Sequence, residues 1–257
     1  VRVGDTVRKA LKLLRLLPEP LFRRGLAHGV AAAVEHRAAL AGLAPATVID
    51  VGAHRGQFSL LAAALFPDAA IHALEPQPEA ADAYARLFAG NPRVRLHRVA
   101  AAERAGEAVL HLARRSDCSS LLPIGAGQLR FAPDSAPAGT RSVPVATLDG
   151  LFPADTIARP CLLKLDVQGG ELAALRGAGR LLGAVDHVYA ELSFRPLYDG
   201  QPLAHELVAH LAAQGFGLAG VGVATRDAAG ACVQADLLFR QVASGRVEGG
   251  RVDGGSG

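Results

Sequence analysis

From residue 46 onward the chain alternates short apolar, β-branched runs with helical stretches: TVIDVG, a helix from about 56, AIHALE, a helix near 78–89, then VRLHRVA. Strand, helix, strand in this order demands a parallel sheet with right-handed crossovers, because a parallel neighbour is reached only through a connection long enough to hold a helix. The alternation resumes with SVPVATLDGLF, CLLKLD, a helix over 170–178, HVYAELSF, a helix over 203–214, and the strands FGLAGVGVA and QADLLFRQ. Only RDAAGAC separates the last two, so they pair antiparallel. The expected fold class is α/β: a seven-stranded, mostly parallel sheet ending in an antiparallel hairpin, with helices on both faces.

With 257 residues, half of them hydrophobic, the chain can bury one substantial core. The expected organisation is a helical N-terminal extension over 1–45, one domain over 46–242 and a Gly-rich, disordered tail over 243–257. In the extension, TVRKALKLLRLL (6–17) sets leucines at helical spacing with Arg8, Lys9, Lys12 and Arg15 between them, and Pro18 stops the helix. A second helical run covers about 21–42. A basic amphipathic helix can make weak contact with an acidic membrane surface; packing across the core with the basic face in water is the favoured reading.

A net charge of +3 and 5% aromatics give no basic stripe with interleaved rings, which argues against nucleic acid. No apolar run reaches the roughly 18 residues of a membrane span. Cys118, Cys161 and Cys232 fit neither a metal knuckle nor a disulfide framework, so a reducing cytoplasm is expected. His205 and His210 imitate a zinc motif but lie about 140° apart around a helix, and no metal is expected.

After Ala100 a turn at Ala105 and Gly106 leads to AVLHLA, suggesting a short hairpin. The following loop of about 25 residues, SDCSSLLPIGAGQLRFAPDSAPAGT, is long enough to cover a site.

In VIDVGAHRGQF, Asp50 and Gly52 end the first strand and Gly56 opens the next helix. Glycines there let a ligand approach the backbone at the positive end of the helix. His54 stands where a dinucleotide fold needs its middle glycine, so the pattern suits a ligand with an amino-acid tail and a nucleoside but no diphosphate, such as S-adenosylmethionine. Glu75 ends the second strand, where a carboxylate accepts from ribose hydroxyls. A nicotinamide-dependent oxidoreductase shares these features, but no lysine has the tyrosine four residues away that short-chain dehydrogenase chemistry uses. A non-catalytic nucleoside-binding module is the other alternative, and the intact Asp50, Gly52, Gly56 and Glu75 set argues against it.

In CLLKLDVQGGELAAL, Lys164 and Asp166 share a strand face. Asp166 then projects into the crevice at the carboxyl edge of the sheet, while Lys164, one pleat deeper, is expected in a core salt bridge. Glu171 favours the next helix dipole. Glu191, near the end of HVYAELSF, approaches the same crevice if the two strands are neighbours. Like-charge repulsion then raises one pKa, which makes Glu191 the expected general base and leaves Asp166 to orient acceptor or cofactor.

The strings VIDVGAHRGQFS, ALEP, LLKLDVQGGE, PLYDGQP and QADLLF together resemble the FkbM family of S-adenosylmethionine-dependent methyltransferases, over about residues 26–240. The resemblance implies a Rossmann-like class I methyltransferase fold and O-methylation of a hydroxyl on a sugar, glycan or polyketide-like acceptor. It implies that Asp50, Gly52, Ala53 and Gly56 hold the methionine part and Glu75 the ribose. Backbone near Ala100 and Ala101 would meet the adenine, and Phe58 and Pro76 would complete the cofactor set. It places Ser119, Ser120 and Tyr198 at the acceptor. His54 departs from the asparagine usual in the family, and an imidazole there would make cofactor affinity depend on pH. Oligomeric state has no signature in the sequence.

Overall fold

The computed structural model of the chain describes residues 16–242. All but the last two residues of the predicted helix over 6–17, and the whole of 243–257, lie outside them. Two units of the extension come first. Helix α1 (Pro20–Ala27) starts at a proline in its first turn. Then Gly29, at φ 71, breaks the helix predicted over 21–42. The chain re-forms only a 3₁₀ turn at Val34–His36 and the short α2 (Arg37–Leu40).

The domain then runs β1 (Thr47–Val51), α3 (Gln57–Leu65), β2 (Ala70–Leu74), α4 (Pro78–Leu87) and β3 (Val94–His97). After these come β4 (Ala100–Ala101), β5 (Gly106–Ala113), α5 (Ala126–Phe131), β6 (Pro137–Ala146) and α6 (Leu148–Leu151). The chain closes with β7 (Cys161–Leu165), α7 (Glu171–Arg176), β8 (His187–Ser193), α8 (Ala204–Ala213), β9 (Phe216–Arg226) and β10 (Cys232–Gln241).

Seven of these strands form one sheet in the order β3-β2-β1-β7-β8-β10-β9. β10 is antiparallel to both neighbours and the other pairings are parallel, as the sequence pattern required. This is the class I methyltransferase fold. β1 and β7 are buried along their whole length because helices cover both faces, so they read as apolar runs without alternation. The chain order reverses between them, and the crevice outside their carboxyl ends is where such sheets bind ligands.

The predicted hairpin around Gly106 is corrected. β5 does not fold back on the strand before it; it pairs antiparallel with β6, and β4 pairs parallel with β6, making a separate three-stranded sheet. The loop over 116–140 is likewise ordered into a 3₁₀ turn at Ser116–Cys118, α5 and the start of β6. Ser120 anchors it by bridging to His111 and donating to the Gln168 carbonyl oxygen.

Two glycines are set by packing. At Gly52, φ is 78 and a Cβ would overlap the carbonyl oxygen of Asp166, so the ends of β1 and β7 pass in direct contact. At Gly56, φ is 101 and a Cβ would lie 2.9 Å from the Phe88 ring. Gly52→Ala adds a left-handed alanine to a backbone overlap and is expected to cost about 2–5 kcal/mol. An unchanged urea midpoint for that variant would contradict this packing.

Candidate active site

A cavity of about 280 Å³ opens at the carboxyl edge of β1, β2 and β7. Its walls are the Val51–His54 and Glu75–Gln77 turns, Val99–Ala101 with Leu110, the Ser116–Leu121 loop and the Asp166–Gln168 turn. Ala33, Glu35 and His36 close it from the N-terminal extension, with Tyr189 of β8 and Asp236 of β10 behind.

Its floor is an ion pair. Asp50 and Lys164 are register partners on β1 and β7, and Lys164 Nζ lies 3.0 Å from Asp50 Oδ1. The ammonium also donates to the Gly52 carbonyl oxygen at 3.1 Å, lies 3.9 Å from Asp166 Oδ2 and sits over the Phe58 ring. Ser59 donates to the other Asp50 oxygen at 2.7 Å, and Tyr84 donates to Ser59. Burial alone would pull the Lys164 pKa down, but Asp50 and Asp166 outweigh it and the net shift is upward.

Glu75 is 3% exposed and already engaged: Oε2 accepts from the His54 amide at 2.8 Å and Oε1 from the Gln77 amide at 2.7 Å. Burial pushes its carboxyl up to about 7 against those two hydrogen bonds. His54 adopts φ 47, a left-handed conformation that asparagine and histidine tolerate better than most residues. Its ring contacts Ser116 Oγ at 2.8 Å, and Gln77 donates to the Ser116 carbonyl oxygen at 3.0 Å. These two side chains thus tie the turns after β1 and β2 to the loop opposite. Burial, the largest influence, holds the His54 pKa below its usual value.

On the far side, the Gln168 amide donates to Asp166 Oδ1 at 2.7 Å and to Glu191 Oε2 at 3.3 Å. Gln234 donates to the same Glu191 oxygen at 2.9 Å. Gln168 holds this position at φ 55, with its carbonyl group fixed by the Tyr198 hydroxyl. Burial first, then Asp166 and Asp236, drives Glu191 well above the usual carboxylate range. Burial and Asp166 likewise push Asp236 up to about 7. His36 Nδ1 lies 2.9 Å from the Tyr189 hydroxyl and 3.4 Å from Asp236 Oδ2.

Of the residues expected at the site, Gly52, Ala53, His54, Phe58, Glu75, Pro76, Ala100, Ala101, Ser119, Ser120 and Asp166 line this cavity. Asp50 lies beneath it as the partner of Lys164, and Gly56 sits behind the turn against Tyr84 and Phe88. Tyr198 is buried off the cavity and reaches it only through Gln168 and the Cys118 carbonyl. Glu191 is half-buried next to Asp166 but outside the lining.

The sequence reading missed His36, Gln77, Tyr189, Gln168 and Asp236. Strand alternation could have found Tyr189, two residues before Glu191, and the antiparallel register sets Asp236 opposite Glu191. Nothing local marks His36, which arrives on the irregular segment after Gly29.

Residues 50–218 match the methyltransferase FkbM domain. No curated protein matches the chain. Among solved structures, magnesium protoporphyrin IX methyltransferase from Synechocystis PCC 6803, with bound S-adenosylmethionine, is 12% identical over 80% of this chain and 74% of its own, at a TM-score of 0.43. A TehB-like S-adenosylmethionine-dependent methyltransferase from Corynebacterium glutamicum is 13% identical over 86% of this chain and 94% of its own, at 0.41. The neocarzinostatin O-methyltransferase NcsB1, in complex with S-adenosylhomocysteine, is 14% identical over 82% of this chain, which spans 53% of that enzyme, also at 0.41. The chain belongs to the FkbM methyltransferase family, and its cofactor is S-adenosylmethionine. Among the described residues no helix is long and apolar enough to cross a membrane.

Lys164→Met leaves the Asp50 carboxylate buried without a counter-charge and is expected to cost about 3–5 kcal/mol in urea denaturation. Asp50→Asn in the same chain removes the orphaned charge and should recover most of that loss.

Proposed function

We propose that the chain methylates a hydroxyl oxygen of a sugar, glycan or polyketide-like acceptor, with the Gly52–Glu75 half of the cavity for the cofactor and the Asp166–His36 half for the acceptor. The observation that supports this most directly is Asp166. Its side chain is 40% exposed into the cavity, at the carboxyl end of β7, and the Gln168 amide fixes its orientation.

The residues present fit the cofactor. Each Glu75 oxygen accepts one amide and keeps a lone pair for a ribose hydroxyl. Burial of that carboxyl favours a ligand that brings hydroxyl donors. The first turn of α3, capped by no side chain, leaves backbone donors for a carboxylate at its positive end. Apolar Val99, Ala100, Ala101 and Leu110 make a slot for a flat base. When bound, S-adenosylmethionine supplies an activated methyl group on a sulfonium.

For their part, the protein's residues would hold the acceptor oxygen in line and keep water out, a positioning effect worth up to about 7–11 kcal/mol. Asp166 accepts the hydroxyl hydrogen bond and takes the proton. Glu191, expected from the sequence to be the base, has its Oε2 occupied by two amides outside the lining. We assign it a positioning role: it shares the Gln168 amide with Asp166 and so helps hold that carboxylate in place.

Incubation with S-adenosylmethionine and a panel of glycosides, nucleotide sugars and glycans tests the reading, with the product identified by NMR. A methyl ether is expected, and methyl on nitrogen or carbon would refute the hydroxyl assignment. On the acceptor so found, Asp166→Asn should lower kcat about 100-fold or more, whereas Glu191→Gln should lower it less than tenfold.

Glu75→Gln turns one acceptor oxygen into a donor against a loop amide and should weaken cofactor binding by about 1.5–3 kcal/mol in calorimetry. Unchanged affinity would move the ribose elsewhere.

A further inference from the structure

The cavity and its immediate wall carry a surplus of negative charge. Glu35, Glu75, Asp117, Asp166 and Asp236 line the cavity, and Asp50, Glu171 and Glu191 stand behind them around the Lys164 ammonium; of these eight carboxylates, Asp117 is paired with Arg115 outside the lining. Asp50 already faces that ammonium at 3.0 Å, and burial disfavours a charge on His54. Glu171 spends an oxygen on the Val167 and Gly169 amides, and Glu191 on Gln168 and Gln234. Asp166, 3.9 Å from the Lys164 ammonium, and Asp236, 3.4 Å from the His36 ring, both face the cavity. Among the described residues no cluster of three or more potential ligands could hold a metal ion.

A cavity of this kind favours a ligand that arrives as a cation. The family's cofactor and its demethylated product share the adenosine and the amino-acid group, and they differ by one unit of charge at sulfur. We infer that Asp166 and Asp236 make this site a charge discriminator, binding the sulfonium cofactor more tightly than the neutral thioether product and shedding protons when the cation enters. Product would thus leave a site that its own loss of charge has weakened. The inference rests on the family's use of S-adenosylmethionine and adds a selectivity that membership does not specify. Asp236 lies outside the residues that match the family.

The sign with pH follows from the groups that face these carboxylates. Asp236 is met by His36 from the extension, Tyr189 and Glu191 from β8, and Lys164 and Asp166 from β7, with Glu35 nearby. Glu75 faces Lys164 and Asp50 of the sheet. As pH rises through neutrality, the raised carboxylates Glu75 and Asp236 ionise, and that change favours a bound cation. Tyr189, pushed upward by burial, stays protonated throughout.

Calorimetry on the wild-type chain tests this, with S-adenosylmethionine and S-adenosylhomocysteine titrated between about pH 6 and 8 in buffers of different ionisation enthalpy. The preference for the sulfonium should grow about tenfold over that range, the change one pKa unit of coupling produces. More protons should be released with the sulfonium than with the thioether. An analogue with an amine in place of the methylsulfonium should follow the sulfonium. Asp236→Asn should reduce the preference severalfold while still binding the thioether. A preference that stays flat with pH in the wild type overturns the inference without recourse to the variant. Competition of magnesium chloride with S-adenosylmethionine would also overturn it, by making the surplus charge a metal site. If both ligands bind equally, the cofactor assignment stands and the discrimination falls; if neither binds, both fall.

Discussion

Everything at this site hangs from a lysine and an aspartate facing each other across the two central strands. A buried ammonium is costly unless an anion and hydrogen-bond acceptors enclose it, and Lys164 finds Asp50 in register, the Gly52 carbonyl above and the Phe58 ring beside it. Meeting those partners fixes the relative height of β1 and β7. It also brings the backbone of Gly52 against Asp166, the same two turns that open the cavity. Stability and site geometry here share one set of atoms, so the strand ends cannot shift without exposing the charge pair.

Around that centre the remaining parts are held by side chains that reach across elements. Glu75 joins its own turn to the one after β1 by accepting the Gln77 and His54 amides, and the side chains of those two residues then grip Ser116. Gln168 joins Asp166 to Glu191, with Tyr198 as its support. The walls are therefore cross-linked in the absence of ligand, which lowers the ordering entropy that binding must overcome.

Much of this was legible beforehand, for physical reasons that differ by residue. The strand order and antiparallel hairpin followed from periodicity and a short connection. The pairing of Lys164 followed from the cost of leaving an ammonium alone in a core. That Glu75 would face the crevice was legible because it ends β2 at the carboxyl edge of the sheet. What escaped had no local marker. Gly52 and Gly56 were read as making room for ligand; the Asp166 backbone and the Phe88 ring, which also require glycine there, left no local mark. The partner of β5 lies beyond a loop whose length hides the pairing, and His36 owes its position to a chain break at Gly29.

The segment after Gly29 and the strand β10 both lie beyond residues 50–218, yet they supply Ala33, Glu35, His36 and Asp236 to the cavity wall. The half of the pocket built from Gly52, Glu75 and Ala100 belongs to the shared module, while part of the opposite wall is contributed by its flanks. Such a division lets the flanking part of the wall diverge while the part built from the shared module stays intact. A fragment trimmed to the module's bounds would lose β10 from within the sheet, and with it both the Asp236 wall and the strand that joins β9 to β8.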